Sequence, residues 1–375
     1  MGSKVLSSGQ DAWYTYRGND DDVVVSTRVR LARNLANFPF PAKLRGTDGE
    51  RIQSIVFDAF NHLDDCEQFQ AIAVSQLDAL GSRILEERGI LGTAGGTPAK
   101  DAGIILRTDG RVACTVNIAD HVHISSFAPG MDCSTALEIS QAVDEGLQQY
   151  IQFAASYDFG YLTSSLMDSG SGMRISIRVH LPSLSMQGRI RSIASELEKK
   201  GVLFSASFGS GGMDNVSGSG GTGASLGAYY ELSSTNCGSG SEFDQLASIV
   251  SAGRKIMEME RNARNECRRD MPSDIRNYLY RSVALARSSL FIPLREAIDI
   301  ISGIKWGTDL EMLSGMEDAS LRALLYRIQE GHLEYVLRNG SFKFEKDVSG
   351  NAARKIERLR ALILQEAFED VKVVQ

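Results

Sequence analysis

The sequence predicts an α+β protein in which a domain with a largely antiparallel sheet flanked by helices precedes an α-helical domain. Apolar runs of strand length, several joined by hairpin signals, alternate with amphipathic helical segments in the first part of the chain. From about residue 242 onward the chain is charge-rich and carries helical periodicity. We therefore predict two domains, at residues 1–253 and 254–375.

The first predicted strand, residues 23–34, reads Val-Val-Val-Ser-Thr-Arg-Val-Arg-Leu-Ala-Arg-Asn and carries Arg28, Arg30 and Arg33. Because side chains alternate along a strand, Arg28 and Arg30 are expected on one face. Two adjacent guanidinium groups repel each other unless an anion lies between them, and a polyphosphate matches their geometry. A solvated edge strand is the alternative, and spacing alone leaves both interpretations open.

The remaining elements follow from periodicity and turn residues. Two apolar runs on either side of Asp109-Gly110 predict a hairpin over 103–117. In a strand over 173–180, Arg174 and Arg178 are expected to face one way. Further strands are predicted at 120–125 and 202–206. Helices are predicted at 50–64, 80–90, 134–153, 187–199, 242–269, 273–290, 294–302, 317–330 and 350–370.

Residues 209–227 are rich in glycine and serine and predict a flexible loop, because they contain too little apolar surface for a core. Glycine N–H groups over 218–223 offer an alternative as an anion cradle. The Lys-Ser/Thr pair that a P-loop requires does not follow them. No Lys or Arg occurs between Lys200 and Arg254.

Composition narrows the functional classes. The formal net charge of −7 argues against nucleic acid as the main partner, and 43% hydrophobic with 23% charged residues is ordinary for a globular protein. Five cysteines without a CxxC pair indicate a reducing compartment. No signal peptide and no apolar window of about 18 residues is found, so we expect no membrane association and a cytoplasmic location.

Three segments resemble signatures of the ATP:guanido phosphotransferases. Residues 25–34 resemble the first signature, and 117–123 resemble the Asn-Glu-Glu-Asp-His-(apolar)-Arg strand. Residues 160–174 are similar to Gly-Tyr-Leu-Thr-Ser-Cys-Pro-Thr-Asn-(apolar)-Gly-Thr-Gly-Leu-Arg. The short lead-in and the helical extension after residue 255 resemble the bacterial protein-arginine kinases of the McsB type. The resemblance implies a guanido kinase-like fold for the first domain.

The resemblance also implies a nucleotide site. In this family arginines bind the ATP phosphates while the γ-phosphoryl group passes to a guanidinium nitrogen. Arg28, Arg30 and Arg174 match three of these positions, Ser26 lies beside them, and His123 occupies the position of a further phosphate arginine. The implied cofactor is ATP or ADP with magnesium, and we assign no metal site to the protein itself.

This chain departs from the family pattern at the positions that the resemblance implies for catalysis and phosphate binding. Ala119 occupies the position of the carboxylate that binds the acceptor guanidinium, and the second catalytic glutamate aligns with Gly223 or Ala224. His123 is only partly charged near neutrality at an ordinary pKa of about 6.5. No arginine occurs in 205–220, where the last phosphate arginine is expected, and Ser165 replaces the family cysteine.

Losing a general base typically costs about 10²–10⁴ in rate, and losing a phosphate arginine about 10³–10⁵. We therefore predict a pseudokinase or regulatory protein with weak or absent phosphoryl transfer. Expected partners are a protein arginine substrate or an active kinase, a McsA-like activator, a Clp ATPase and a second copy of the chain. In McsB the C-terminal domain also binds phosphoarginine, a role to which we assign no residue here.

Two alternatives stay open. One is an active, divergent protein-arginine kinase that uses Asp120 or Asp214 as the base and Arg178 as a phosphate ligand. The other is an interaction scaffold whose helical domain dimerises and whose nucleotide site is lost.

For His180, we favour the interpretation as a strand-end histidine with a satisfied hydrogen bond.

Overall fold

The computed structural model describes residues 12–91, 100–208, 225–235 and 241–374, and an eight-stranded sheet is its central feature. The strands in chain order are β1 (Val24–Arg33), β2 (Phe69–Ala73), β3 (Gly103–Arg107), β4 (Val112–Val116), β5 (Val122–Pro129), β6 (Ala155–Ser156), β7 (Gly160–Tyr161), β8 (Met173–His180), β9 (Val202–Ala206), β10 (Tyr229–Ser234), β11 (Leu313–Ser314) and β12 (Lys372–Val373). The sheet has the order β2-β3-β4-β5-β1-β8-β10-β9, and every neighbouring pair is antiparallel. The antiparallel sheet that the sequence predicts is therefore confirmed.

Helices pack on this sheet and dominate the chain after residue 241. They are α1 (Asp48–Asn61), α2 (Ala79–Glu87), α3 (Cys133–Gln148), α4 (Pro182–Met186), α5 (Ile190–Glu198), α6 (Glu242–Asp270), α7 (Pro272–Ser288), α8 (Leu294–Asp309), α9 (Asp318–Arg327), α10 (Glu330–Asn339), α11 (Lys346–Ser349) and α12 (Ala352–Ala367). Short 3₁₀ turns lie at Trp13–Thr15, Pro41–Lys43, Cys66–Gln68, Val74–Gln76 and Leu226–Ala228. No helix within the described ranges combines the length and the apolarity needed to cross a bilayer.

The two faces of the sheet differ in chemistry. Val29 and Leu31 of β1 and Ile175 of β8 belong to the main core, which α1, α3 and α6 complete on the same side. Residues with the opposite parity on β1, β5 and β8 are mostly polar. The burial of one face by helices leaves the other face to carry charged side chains.

A second core joins the C-terminal helices to the sheet. It contains residues of α7, α8, α9 and α12, and also Val25 of β1 and Tyr229 of β10. Helix α6 continues through the predicted domain boundary at residue 253 without interruption. That boundary stays a prediction.

The predicted hairpin over 103–117 is confirmed, with Ile104 of β3 opposite Thr115 of β4. The strand predicted at 120–125 begins two residues later, at Val122. Asp120 lies in the preceding loop, where its carboxylate accepts a hydrogen bond from the Ser164 N–H. The sequence missed β2, an edge strand whose half-exposed residues alternate weakly, and β10, which follows the glycine-rich segment. It also missed α10.

Candidate functional site

Four arginines lie on the polar face of the sheet. Arg30 of β1 is directly opposite Arg174 of β8, and Ser26 of β1 is opposite Arg178. Since opposed residues of an antiparallel pair point to the same side, Arg28, which lies two residues from Arg30, shares this face. We call these four arginines the basic face.

Arg28 is held at the centre of the basic face by polar and aromatic contacts. Its Nη2 donates to Ser125 Oγ at 3.0 Å and its Nη1 to the Gly89 carbonyl at 3.1 Å. Its Cζ lies 5.3 Å from the centroid of the Phe127 ring. Burial, together with the charge of Arg30, lowers the pKa of Arg28 to about 10. Arg28 is thus still a cation at neutral pH, in a site where an anion would be favoured.

Arg30 and Arg174 share one carboxylate. Arg174 Nη2 lies 2.6 Å from Asp168 Oδ1, and Arg30 Nη2 lies 3.7 Å from Asp168 Oδ2. Asp168 is buried and belongs to the segment between β7 and β8. Sequence reasoning placed this segment in a Gly/Ser loop and did not assign Asp168 to the site.

Arg178 lies at the other end of the basic face. Its Nη2 is 3.9 Å from Glu231 Oε2 of β10, and its Cζ lies 5.2 Å from the Phe208 ring centroid. Ser26, opposite Arg178 in the ladder, is buried. Phosphate ligation by Ser26 or by Arg178 stays a prediction.

His123 lies at the edge of the basic face and is paired with Asp120. Its Nε2 is 2.9 Å from Asp120 Oδ2, while Asp120 Oδ1 accepts hydrogen bonds from Asn34 Nδ2 and from the Ser164 N–H, both at 2.6 Å. Burial alone would raise the pKa of Asp120, but His123 and these two donors hold it well below its usual range. An ionised carboxylate only accepts, so His123 Nε2 carries the proton and Nδ1 is unprotonated in the neutral ring.

Burial and the charge of Arg30 lower the pKa of His123, although Asp120 opposes the shift. His123 is therefore neutral near pH 7 and does not replace the positive charge of an arginine. Both oxygens of Asp120 are engaged, which suits a role in positioning His123 better than a role as the base.

The two described positions at which the chain departs from the family's acceptor-side pattern, Ala119 and Ser165, are both exposed. Ala119 is exposed in the loop between β4 and β5, and Ile118 beside it packs against the apolar cluster of Leu85 and Leu91. Ser165 is exposed and its carbonyl accepts from Thr163 Oγ1 at 2.7 Å. Ala224, Asp214 and the glycine-rich stretch 209–224 lie outside the described residues, as does the possible anion cradle.

Arg33, the third arginine of the first strand, has a structural role. Its Nε and Nη2 donate to the two carboxylate oxygens of Asp144 on α3 at 3.0 and 2.9 Å. Its Cζ lies 3.6 Å from the Tyr161 ring centroid. Both charges are buried, so this bidentate pair fixes α3 to the sheet and is separate from the basic face.

His180, at the end of β8, and His121, immediately before β5, have structural roles. His180 is buried where β8 meets α8, with Nε2 2.8 Å from Ser302 Oγ and its ring stacked on Tyr229. His121 accepts the Leu35 N–H at Nδ1, 3.0 Å away. In the part of the chain that the structure describes, no group of three or more His, Cys, Asp and Glu side chains is arranged to hold a metal ion.

Comparison with known proteins gives two family matches. Residues 51–263 match the model of the ATP:guanido phosphotransferase, C-terminal catalytic domain. Residues 272–374 match the model of the protein-arginine kinase McsB C-terminal domain. Together they include most residues of both cores, but not those of β1.

Curated relatives and solved structures agree with these matches. A protein-arginine kinase of Syntrophomonas wolfei is 27% identical over 84% of this chain and 86% of its own length, and one of Brevibacillus brevis is 28% identical over 94% and 96%. The substrate-free duplicated taurocyamine kinase of Schistosoma mansoni is 19% identical with a TM-score of 0.56, covering 76% of this chain and 40% of that one. Lombricine kinase is 16% identical with a TM-score of 0.54, over 67% of this chain and 72% of its own.

The solved structures share the fold, and the family match covers more than half of the chain. The protein therefore belongs to the ATP:guanido phosphotransferase family and resembles its protein-arginine kinases over nearly its whole length.

Proposed function

We propose that this protein is a protein-arginine kinase homologue that binds nucleotide phosphates on the basic face but transfers phosphoryl groups weakly or not at all. The observation that carries the proposal is the contrast between the two halves of the site. Arg28, Arg30 and Arg174 lie on one face of the sheet. At the position where the family resemblance implies the acceptor carboxylate, this chain has Ala119. Such a protein acts by binding.

The basic face suits ATP or ADP. The Nε atoms of Arg28, Arg174 and Arg178 are buried and have no hydrogen-bond partner among the described residues. Buried donors of this kind favour an acceptor, and phosphate oxygens match the guanidinium fork. Arg28, Arg30 and Arg174 would hold the phosphates, and magnesium would accompany them on the nucleotide. Bound ATP would supply the γ-phosphoryl group.

The acceptor side does not suit efficient transfer. A guanidinium group has to be held and deprotonated before it attacks phosphorus, and an alanine side chain does neither. His123 is neutral where the family pattern has a phosphate arginine. The absence of either function reduces rates by about two to five orders of magnitude in comparable sites.

The proposed partners are proteins. Curated relatives are named protein-arginine kinases, which favours either an arginine-bearing substrate protein or an active kinase as the binding partner. A McsA-like activator, a Clp ATPase, a homodimer formed through the helical domain and a cytoplasmic location complete the proposal.

Calorimetric titration with ADP and magnesium tests nucleotide binding. The unmodified chain should bind, and Arg28→Ala should weaken binding at least about tenfold because it removes a desolvated phosphate donor. Arg191→Ala is the matched control, since Arg191 is exposed on α5, which packs on the apolar side of the sheet. Absence of binding to the unmodified chain would instead favour the scaffold alternative. Binding by Arg28→Ala that equals that of the unmodified chain would show that the nucleotide does not bind through Arg28 of the basic face.

One observation favours a second candidate, an active divergent kinase. The Asp120–His123 pair presents an imidazole whose Nδ1 is unprotonated and has no hydrogen-bond partner among the described residues. This nitrogen would be the base, in place of the carboxylate, and Arg178 would be an additional phosphate ligand. Phosphoarginine formation that His123→Asn abolishes while ADP affinity is kept would support it.

A further inference from the structure

A carboxylate of the protein itself, that of Asp168, lies against two arginines of the basic face. Asp168 directs one oxygen to Arg174 at 2.6 Å and the other towards Arg30 at 3.7 Å. A phosphate bridging these two arginines would use one oxygen for each in the same way. The side chain of Asp168 is only 11% exposed, so its charge is poorly screened by solvent.

We propose that Asp168 is a built-in competitor for the basic face: its carboxylate occupies the place between Arg30 and Arg174 that a phosphate group of a ligand has to take. Asp168 therefore sets how tightly the site binds polyphosphates. The identity of the ligand as a nucleotide rests on the function proposed above, whereas the competition itself concerns any polyphosphate.

Two consequences follow from the charges. With Asp168 in place, one anion partly neutralises two adjacent cations, which removes much of the repulsion between Arg30 and Arg174. A phosphate that enters meets repulsion from the carboxylate unless Asp168 moves away. The ligand-free state is stabilised and the affinity for anions is lowered by the same contact.

The segment around Asp168 allows such a movement. Leu166 and Met167, immediately before it, are 90% and 52% exposed and make no part of either core. On the far side, Gly170 is paired with Tyr161 through hydrogen bonds of 2.8 and 3.1 Å in both directions. Residues 163–169 are thus bounded by fixed backbone but carry no apolar burial that would oppose displacement of the carboxylate.

The test is titration of Asp168→Asn with two probes, ADP with magnesium and inorganic tripolyphosphate. Asparagine keeps the shape and removes the charge, so both probes should bind about tenfold more tightly or better than to the unmodified chain. Asp168→Ser removes the oxygen pair altogether and should show the same gain. Melting curves establish that each variant is folded.

Asp158→Asn is the control, because Asp158 is exposed in the preceding turn and the substitution changes the net charge by the same amount. It should alter affinity by less than about twofold. Unchanged affinity of both Asp168 variants for both probes would overturn the inference. Tighter binding of tripolyphosphate without any binding of ADP would uphold the competitor and defeat the nucleotide function. Binding of ADP with an affinity that neither Asp168 variant changes would uphold the nucleotide function and defeat the competitor.

Discussion

Arg30 and Arg174 are directly paired across the antiparallel ladder of β1 and β8. Like charges at directly opposed positions destabilise a sheet. A protein that keeps this pair beneath a single carboxylate, Asp168, has a surface better suited to binding an anion than to stabilising the fold. This relationship separates the arginines of the site from the arginines of the framework.

Replacing Arg174 with methionine should weaken ADP binding at least about tenfold, because one of two adjacent phosphate donors is lost. The free energy of unfolding should change by no more than about 0.5 kcal/mol, since the lost contact to Asp168 is offset by relief of repulsion from Arg30. Calorimetry and urea denaturation measure the two effects. A loss of several kcal/mol with unchanged ADP affinity would assign Arg174 to the framework.

Replacing Arg33 with methionine should, in contrast, lower the free energy of unfolding. It leaves the buried Asp144 carboxylate without its bidentate partner, and removing one member of a buried pair typically costs about 3–5 kcal/mol. Urea denaturation checks this value. The double variant Arg33→Met, Asp144→Leu should recover most of the loss, and a double variant as unstable as the single one would contradict the explanation.

Arg322 should be required for the attachment of the N-terminal segment. It is buried on α9 and donates to Asp21 Oδ1 at 2.6 Å and to the carbonyls of Tyr14, Tyr16 and Val25. Arg322→Met removes donors from all these acceptors and should cost about 3 kcal/mol or more. It should also expose the segment at 12–22 to protease. Cleavage at the unmodified rate would show that other contacts hold this segment.

His180 should make stability fall in acid. Burial, aided by Lys305 and Arg264, lowers the pKa of His180 well below its usual value. The unfolded chain therefore binds this proton near pH 6.5 while the folded chain does not, so stability is present above that pH and is lost as the pH falls. Between about pH 7 and pH 5.5, His180→Asn should lose about 1 kcal/mol less than the unmodified chain by urea denaturation. Equal losses would contradict the assignment.

Much of the fold could be predicted from the sequence because its strands carry strong local patterns. The alternation in 173–180 correctly placed Arg174 and Arg178 on one face, and Asp109-Gly110 correctly marked the hairpin. Edge strand β2 was missed because a strand exposed on much of its surface needs little apolar alternation. The turn at Asp120 was missed because it depends on an Asn34 side chain that is distant in sequence.

The candidate site was predicted only in part. Periodicity placed Arg28 and Arg30 on one face, but it gave no means to separate them from Arg33, whose partner lies on α3. Asp168 was not assigned because the direction of a side chain in an irregular segment has no periodic signal. Its position between two arginines depends on the packing of the whole segment against β1 and β8.

The central claim about activity is that this protein transfers phosphoryl groups weakly or not at all, and one measurement tests it most directly. The chain is incubated with labelled ATP, magnesium and an arginine-rich protein, beside an active protein-arginine kinase at the same concentration. Acid-labile phosphoarginine should form at least about 10³-fold more slowly than with the active enzyme. Formation at a rate comparable to that of the active enzyme would contradict the claim.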